Sequence, residues 1–311
     1  MPSTITSQSK STKQPNTEST PNEITQYYYP DPVNQQVIQQ WLFMDLLPWQ
    51  QPTWQYLTTH LHALPHAMLF AGNAGTGKRA FVYRFVAWAL CGNQRDNAQG
   101  VTTACGQCQS CQWLIANTHP DLYQIPTPTV ARDASPKPQA NNALVTQAPT
   151  HQSGYSIKID EIRELQPFVT QSSGGLRIVV IHQADAMTLA ASNALLKTLE
   201  EPAENVLMLL ISDSPSQLLP TIRSRLQSFS VSHVTPDQSM QAMQQLLPHT
   251  DTATLQQVSE LSGYAPFLAL HMLNSEWYQH RQTWINSFQA VRSGQRMPVQ
   301  ASNYWQKTLT L

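Results

Sequence analysis

The chain reads as an α/β protein with a mostly parallel sheet, followed by a smaller all-helical part. Three observations carry this. Short apolar runs ("HAMLFAG", "LRIVVIH", "VLMLLIS") alternate with stretches at helical spacing, as strand–helix–strand crossovers require. The runs are continuous, the pattern of strands covered on both faces. Beyond about Phe229 the strand signal fades and only helical patterns continue. A length of 311 residues suits two domains, or two and a small third, around a substantial core.

The elements follow in order. Residues 1 to about 30 are Ser, Thr, Gln, Asn and Pro with almost no apolar periodicity, so a disordered tail is expected over 1–40. The α/β domain is expected over 41–232. Its first strand, "HAMLFAG", ends in Gly and leads into "KRAFVYRFVAWALC", where Phe81, Phe85 and Ala89 fall on one helical side beside Val82 and Val86. "LYQIP" is a candidate strand. The Pro- and Ala-rich stretch 126–154 reads as a mobile insertion, because the pattern on both sides belongs to one architecture. In "IDEIRELQPFV", Ile159, Ile162, Leu165 and Val169 share a helical face. "AASNALLKTLEEP" is a helix stopped by Pro202. Two further helices, "PDQSMQAMQQLLP" and "DTATLQQVSELSG", and a third from about Ala265 form a small helical domain over 233–275. Asp237 and Asp251 suit helix N-caps or first turns.

Composition excludes several classes. A formal charge of -1 with 12 % charged residues gives no global electrostatic footprint for wrapping nucleic acid. The opening "MPSTITSQSK" is not a secretory signal, and no apolar run approaches the roughly 18 residues of a membrane span. A cytoplasmic protein is expected.

The stretch "AGNAGTGKRAF", residues 71 to 81, places Gly72, Gly75, Gly77 and Lys78 in the G-x-x-x-x-G-K spacing, after a strand and before a helix. Backbone amides and the helix N-terminus there favour phosphate, and Lys78 adds a point charge. Hydrolysis needs more: a hydroxyl after the Lys to place magnesium, and a carboxylate at the end of a second strand. Arg79 stands at the hydroxyl position. The second strand, "RIVVIHQAD", ends in His182 and Gln183, with Asp185 beyond them and expected to point elsewhere. The expectation is a tight strand–helix turn that binds ATP passively at most.

All four cysteines lie in one window, Cys91 and then "CGQCQSC" with Cys105, Cys108 and Cys111. Two overlapping C-x-x-C spacings suit tetrahedral zinc, with His119 in place of one thiolate as the variant arrangement. Four protein ligands leave no open position, so the expected zinc is structural.

Three stretches then converge: "SNALLKTLEEP" (192–202), the Cys cluster followed by "HPD" (119–121), and "LLPTIRSRLQSF" (218–229); "PWQ" (48–50) agrees. Over about residues 45 to 290 the chain resembles the clamp-loader branch of the AAA+ proteins, and within it the delta-prime family of bacterial DNA polymerase III. The resemblance implies an AAA+ P-loop-type sheet domain with a zinc module at about 91–111. It also implies a helical lid over 233–275 and, from 276 to 311, the start of a helical collar with room for its first helices only. It implies motor partners of the gamma/tau type and a delta subunit in a hetero-pentamer, with the sliding clamp and primer-template DNA reached through the complex. In that family a Ser-Arg-Cys motif sends its Arg into a neighbour's ATP site. Ser224 and Arg225 match it, with Leu226 in place of the Cys, so Arg225 is the expected arginine finger. Ser212 falls where these proteins place a phosphate-sensing residue and is expected to be vestigial. Leu195, Leu196 and Leu199 read as core, and Glu200 and Glu201 as solvated or paired across a subunit interface.

The leading expectation is a non-hydrolysing stator of the clamp loader in DNA replication. The alternatives are an active clamp-loader ATPase, or a zinc-dependent nucleic-acid-binding module. Against the last, the cysteine window carries only Arg95 and Asp96 as charged residues.

Overall fold

The computed structural model describes residues 39, 41–43, 45–97, 100–126, 156–171, 174–231 and 233–309. The expected tail and the expected mobile insertion lie outside the described residues, apart from positions 39 and 126. After α1 (Gln51–Thr59) come β1 (Ala67–Ala71), α2 (Lys78–Leu90), a small hairpin of β2 (Arg95–Asp96) and β3 (Thr102–Thr103), α3 (Gln109–Ile115) and β4 (Leu122–Ile125). Then follow α4 (Ile159–Thr170), β5 (Arg177–Ile181), α5 (Leu189–Glu200), β6 (Val206–Ser212), α6 (Pro220–Arg223) and β7 (Gln227–Ser230). Five further helices follow among the described residues: α7 (Pro236–Leu246), α8 (Thr252–Leu261), α9 (Pro266–Asn274), α10 (Glu276–Arg292) and α11 (Pro298–Leu309).

Among the described residues the main sheet has five strands in the order β4-β5-β6-β1-β7, all paired in parallel. The expected fold class, a parallel P-loop-type α/β sheet followed by helices, is the one observed. Strand β6 is buried at every residue and pairs with β1 from Ala67↔Met208 to Ala71↔Ser212. Successive strand residues point to opposite faces. Met68, Phe70, Ile178, Val180, Leu207 and Leu209 therefore meet Phe81 and Phe85 of α2, with Trp54 of α1. Leu69, Val179, Ile181, Met208 and Leu210 meet Ile162 and Leu165 of α4, and Leu195 and Leu199 of α5. Both faces are apolar, so the alternation was invisible as a sequence pattern.

Two elements departed from expectation. Helix α2 is buried on nearly every side, from Ala80 to Trp88, rather than along one stripe. It lies between the sheet, Trp41, Trp54 and the cysteine-bearing segment, to which Trp88 Nε1 donates a bond at Thr102 Oγ1, 3.2 Å. Strand β7 was not foreseen. It is an edge strand with three of its four residues exposed, and it carries no apolar run to betray it.

The later helices are capped as their sequence dictates. Thr235 caps α7, leaving Asp237 as a first-turn acid, and Asp251 caps α8 by accepting the Thr254 amide at 2.8 Å. Met243, Leu255, Val258, Phe267 and Leu270 form a separate core, which Trp49 joins. The joint to the sheet lies at Gly75. Its φ is +77°, and the amide of Phe267 donates to its carbonyl at 3.0 Å. A Cβ built there would lie 2.4 Å from the backbone nitrogen of Leu268. Gly75→Ala should therefore lower stability by roughly 1–3 kcal/mol from backbone strain alone, and push α9 off the loop. Urea unfolding followed by circular dichroism measures the first effect, and amide hydrogen exchange at Phe267, whose N–H donates to Gly75 O, measures the second.

Candidate functional site

The C-terminal edge of the sheet gathers the loop that joins β1 to α2. Its first amide, Gly72 N, donates to Ser212 O at 3.3 Å, which ties the loop to the end of β6. Two side chains from the "PWQ" turn hold its far side: Trp49 Nε1 donates to Thr76 O at 3.1 Å and Gln50 Nε2 to Gly77 O at 3.1 Å. Gly77, with φ +83°, opens α2 and packs against Leu47, Gln50 and Phe267. The spacing thus makes the turn the sequence implied, with turn and helix residues packed on its outside.

Lys78 is 2 % exposed. Its ammonium donates to Asn73 O at 2.9 Å and forms an ion pair with Asp213. Burial holds its pKa below the usual lysine value, with Asp213 opposing that shift. Arg79 reaches the other oxygen of the same carboxylate, Nη2 to Oδ2, at 3.5 Å. Asp185, expected to point elsewhere, lies near enough for its negative charge to act on Lys78. Asp213 itself escaped the sequence reading, although an acid directly after the buried run "VLMLLIS" was a usable signal. Ser212 is fully buried, and its hydroxyl accepts the Ser214 amide at 3.2 Å.

At the end of β5, His182 fills the place where acids were sought. It is 1 % exposed and stacks on Tyr83 with ring centroids 5.2 Å apart. Gln124 donates to Asn117 Oδ1 at 2.8 Å, which leaves Gln124 Oε1 to accept from the Tyr83 hydroxyl. The hydroxyl oxygen then accepts a hydrogen bond from His182 Nε2–H. Burial, reinforced by the Arg79 charge, holds His182 down to about 3. A neutral imidazole bonded this way supplies no metal-holding oxygen.

The four cysteine thiols converge, all Sγ atoms lying within 4.8 Å of one another. Cys91 and Cys108 are 3.9 Å apart, as are Cys105 and Cys111. A tetrahedral zinc with Zn–S bonds of about 2.3 Å needs sulfurs roughly 3.8 Å apart, so the set fits. Amides of Gln107 and Cys108 donate to Cys105 Sγ and hold its thiol down to about 6, toward the thiolate a metal needs. His119 stands outside the set. Its Nδ1 accepts the Asp121 amide at 3.1 Å and its Nε2 meets Ser110 Oγ at 2.8 Å. Ser110 in turn donates to Leu90 O at 2.6 Å, so His119 braces α3 against the end of α2.

Arg225 is exposed just beyond α6. It donates to Thr221 O at 2.8 Å and to Glu200 Oε1 at 2.6 Å. Glu200, expected to be solvated or to pair across an interface, is thus paired within the chain, because the end of α5 lies beside α6. Leu226 is buried and joins the core of that face.

Residues 49–235 match the protein family described as DNA polymerase III, delta subunit. The chain belongs to this family. It is 37 % identical over 228 residues to the DNA polymerase III subunit delta-prime of Pseudomonas aeruginosa, covering 72 % of this chain and 60 % of that one. The delta-prime subunit of Yersinia pestis is 33 % identical over 180 residues, covering 57 % of this chain and 44 % of that one. A gamma/tau subunit of Mycobacterium bovis is 30 % identical over 181 residues, 57 % of this chain and 26 % of its own length. The chain thus spans about 60 % of the length of the first of these relatives and less of the other two. The resemblance to delta-prime subunits expected from the sequence is borne out. No helix among the described residues is long and apolar enough to cross a membrane.

His182 also sets a pH response. Its folded pKa of about 3 lies below the unfolded value near 6.5, so the unfolded chain takes the proton first as pH falls. Stability is full above about pH 6.5 and is lost from there down toward pH 3, at roughly 1.4 kcal/mol per pH unit for this proton. His182→Phe should flatten that slope, leaving the contributions of His119 and His271, both also held down by burial. Urea unfolding between pH 7.5 and 4.5 measures it.

Proposed function

We propose that the chain is a non-hydrolysing subunit of the bacterial DNA polymerase III clamp loader. In this reading it is a stator against which gamma/tau-type motor subunits work, in a hetero-pentamer with a delta subunit, to load the sliding clamp on primer-template DNA. The single observation that carries it is the loss of both oxygen-bearing positions of the site. Arg79 takes the hydroxyl position and is spent on Asp213, and His182 takes the acid position as a neutral, buried ring. The G-x-x-x-x-G-K turn at Gly72, Gly75, Gly77 and Lys78 then works as a structural joint. Phosphate release by the chain alone, abolished by Lys78→Ala, would overturn this.

The finger role for Arg225 has physical support. Its pair with Glu200 joins side chains 35 % and 50 % exposed. Such surface pairs contribute about 0–1 kcal/mol, so exchanging Glu200 for a neighbour's gamma-phosphate costs little. A guanidinium delivered there stabilises the charge of the transition state, by roughly 10³-fold or more in GTPases. In a reconstituted loader Arg225→Ala should cut DNA-stimulated ATP turnover while size-exclusion chromatography shows the same assembly. Unchanged turnover would remove the assignment.

In the same reading Cys91, Cys105, Cys108 and Cys111 hold a structural zinc. These four thiolates would hold the metal and, with two of their four negative charges offset by it, would fix the segment between α2 and α3, with no open position for chemistry. A strong chelator should release a single zinc per chain and lower the melting temperature. All four thiols should then react with a thiol reagent that left them untouched before. Ready reaction of the untreated protein, with no zinc in its elemental analysis, would exclude the metal.

A further inference from the structure

The loop that should receive a phosphate already holds an anion of its own. Asp213 directly follows Ser212, whose register with Ala71 and bond from Gly72 fix it against the start of the loop. The Ser214 amide turns back onto Ser212 Oγ, which bends the chain after the strand. From there the two oxygens of one carboxylate divide between the two cations of the site. One pairs with Lys78 and the other lies 3.5 Å from Arg79 Nη2. The Lys78 side chain is almost wholly buried, and that of Asp213 keeps 24 % exposure at the mouth. This is how two oxygens of a phosphate would sit on a lysine and an arginine.

We propose that Asp213 is a built-in plug for a latent polyphosphate site, and that it, rather than any loss of the loop's shape, keeps pyrophosphate-type anions out. The proposal rests on the non-hydrolysing reading and deepens it by naming what closes the loop. An incoming diphosphate must displace the carboxylate from both cations and then lie beside it, like charge against like. Each charge-assisted bond given up is worth roughly tenfold or more in affinity. Arg79 takes on a defined role in this arrangement. Where a hydroxyl would have held a metal, a tethered cation holds the plug, so anions would bind without magnesium once the plug is removed.

The test compares wild type, Asp213→Asn, Asp213→Glu and the double variant Asp213→Asn with Lys78→Ala, all as the full chain. Pyrophosphate without metal is titrated by calorimetry, with circular dichroism as the check on folding. Wild type and Asp213→Glu should bind at least about tenfold more weakly than Asp213→Asn, whose affinity should fall with salt and vanish in the double variant. Equal affinity in wild type and Asp213→Asn, whether strong or absent, overturns the proposal. Should Asp213→Asn fail to fold, the wild type decides by nitrogen-15 NMR of the lysine side chains. A Lys78 Nζ signal that ignores pyrophosphate but shifts as acid protonates Asp213 supports the plug, and one that shifts on adding pyrophosphate at neutral pH removes it. Anion binding by wild type without phosphate release would sink the plug and leave the stator reading standing.

Discussion

The pairing of β1 with β6 is the constraint on which the rest depends. Parallel register from Ala67↔Met208 to Ala71↔Ser212 brings two strands distant in sequence to end at the same level. The residue after each end is then placed at the carboxyl edge of the sheet, where α/β folds put their sites. Gly72 begins the loop on one side, and Asp213 stands on the other. Everything that distinguishes this site follows from that meeting: the carboxylate on Lys78, the recruitment of Arg79, and the closure of the turn against Ser212.

Around this edge the loop's carbonyls are engaged by the chain's own donors. Trp49 and Gln50 satisfy loop carbonyls, and Phe267 satisfies a third from the start of α9. Asn117, Gln124, Tyr83 and His182 form a chain of bonds under the sheet end, with His182 Nδ1 left buried at its end without a partner. Breaking any of these bonds would strand a further buried polar group, which favours the bonded arrangement. Arg225 and Glu200, by contrast, pair at the surface.

The cysteine segment is held to the same frame from three sides. Cys91 ends α2, Ser110 reaches Leu90, and His119 links Ser110 to the start of β4. The "HPD" stretch that marked the family resemblance thus has a local reason. His119 is a brace with both ring nitrogens engaged, and the four thiols gather without it.

The sequence by itself determined the strands with continuous apolar runs, the loop at Gly72 to Lys78, the cysteine set and the missing oxygens at Arg79 and His182. Each of these is written locally, in the spacing of neighbours or the chemistry of one side chain. It also carried the Ser224–Arg225 pair, though only through likeness to a family. Tertiary structure alone decided the partners. Glu200 meets Arg225 because α5 ends beside α6. Tyr83 fills the face of His182 because α2 is packed on all sides, and β7 is a strand only because β1 offers it an edge. Asp213 plugs the loop only because β6 lies next to β1. Contacts between residues far apart in sequence depend on register and layer order, and a list of local propensities contains neither.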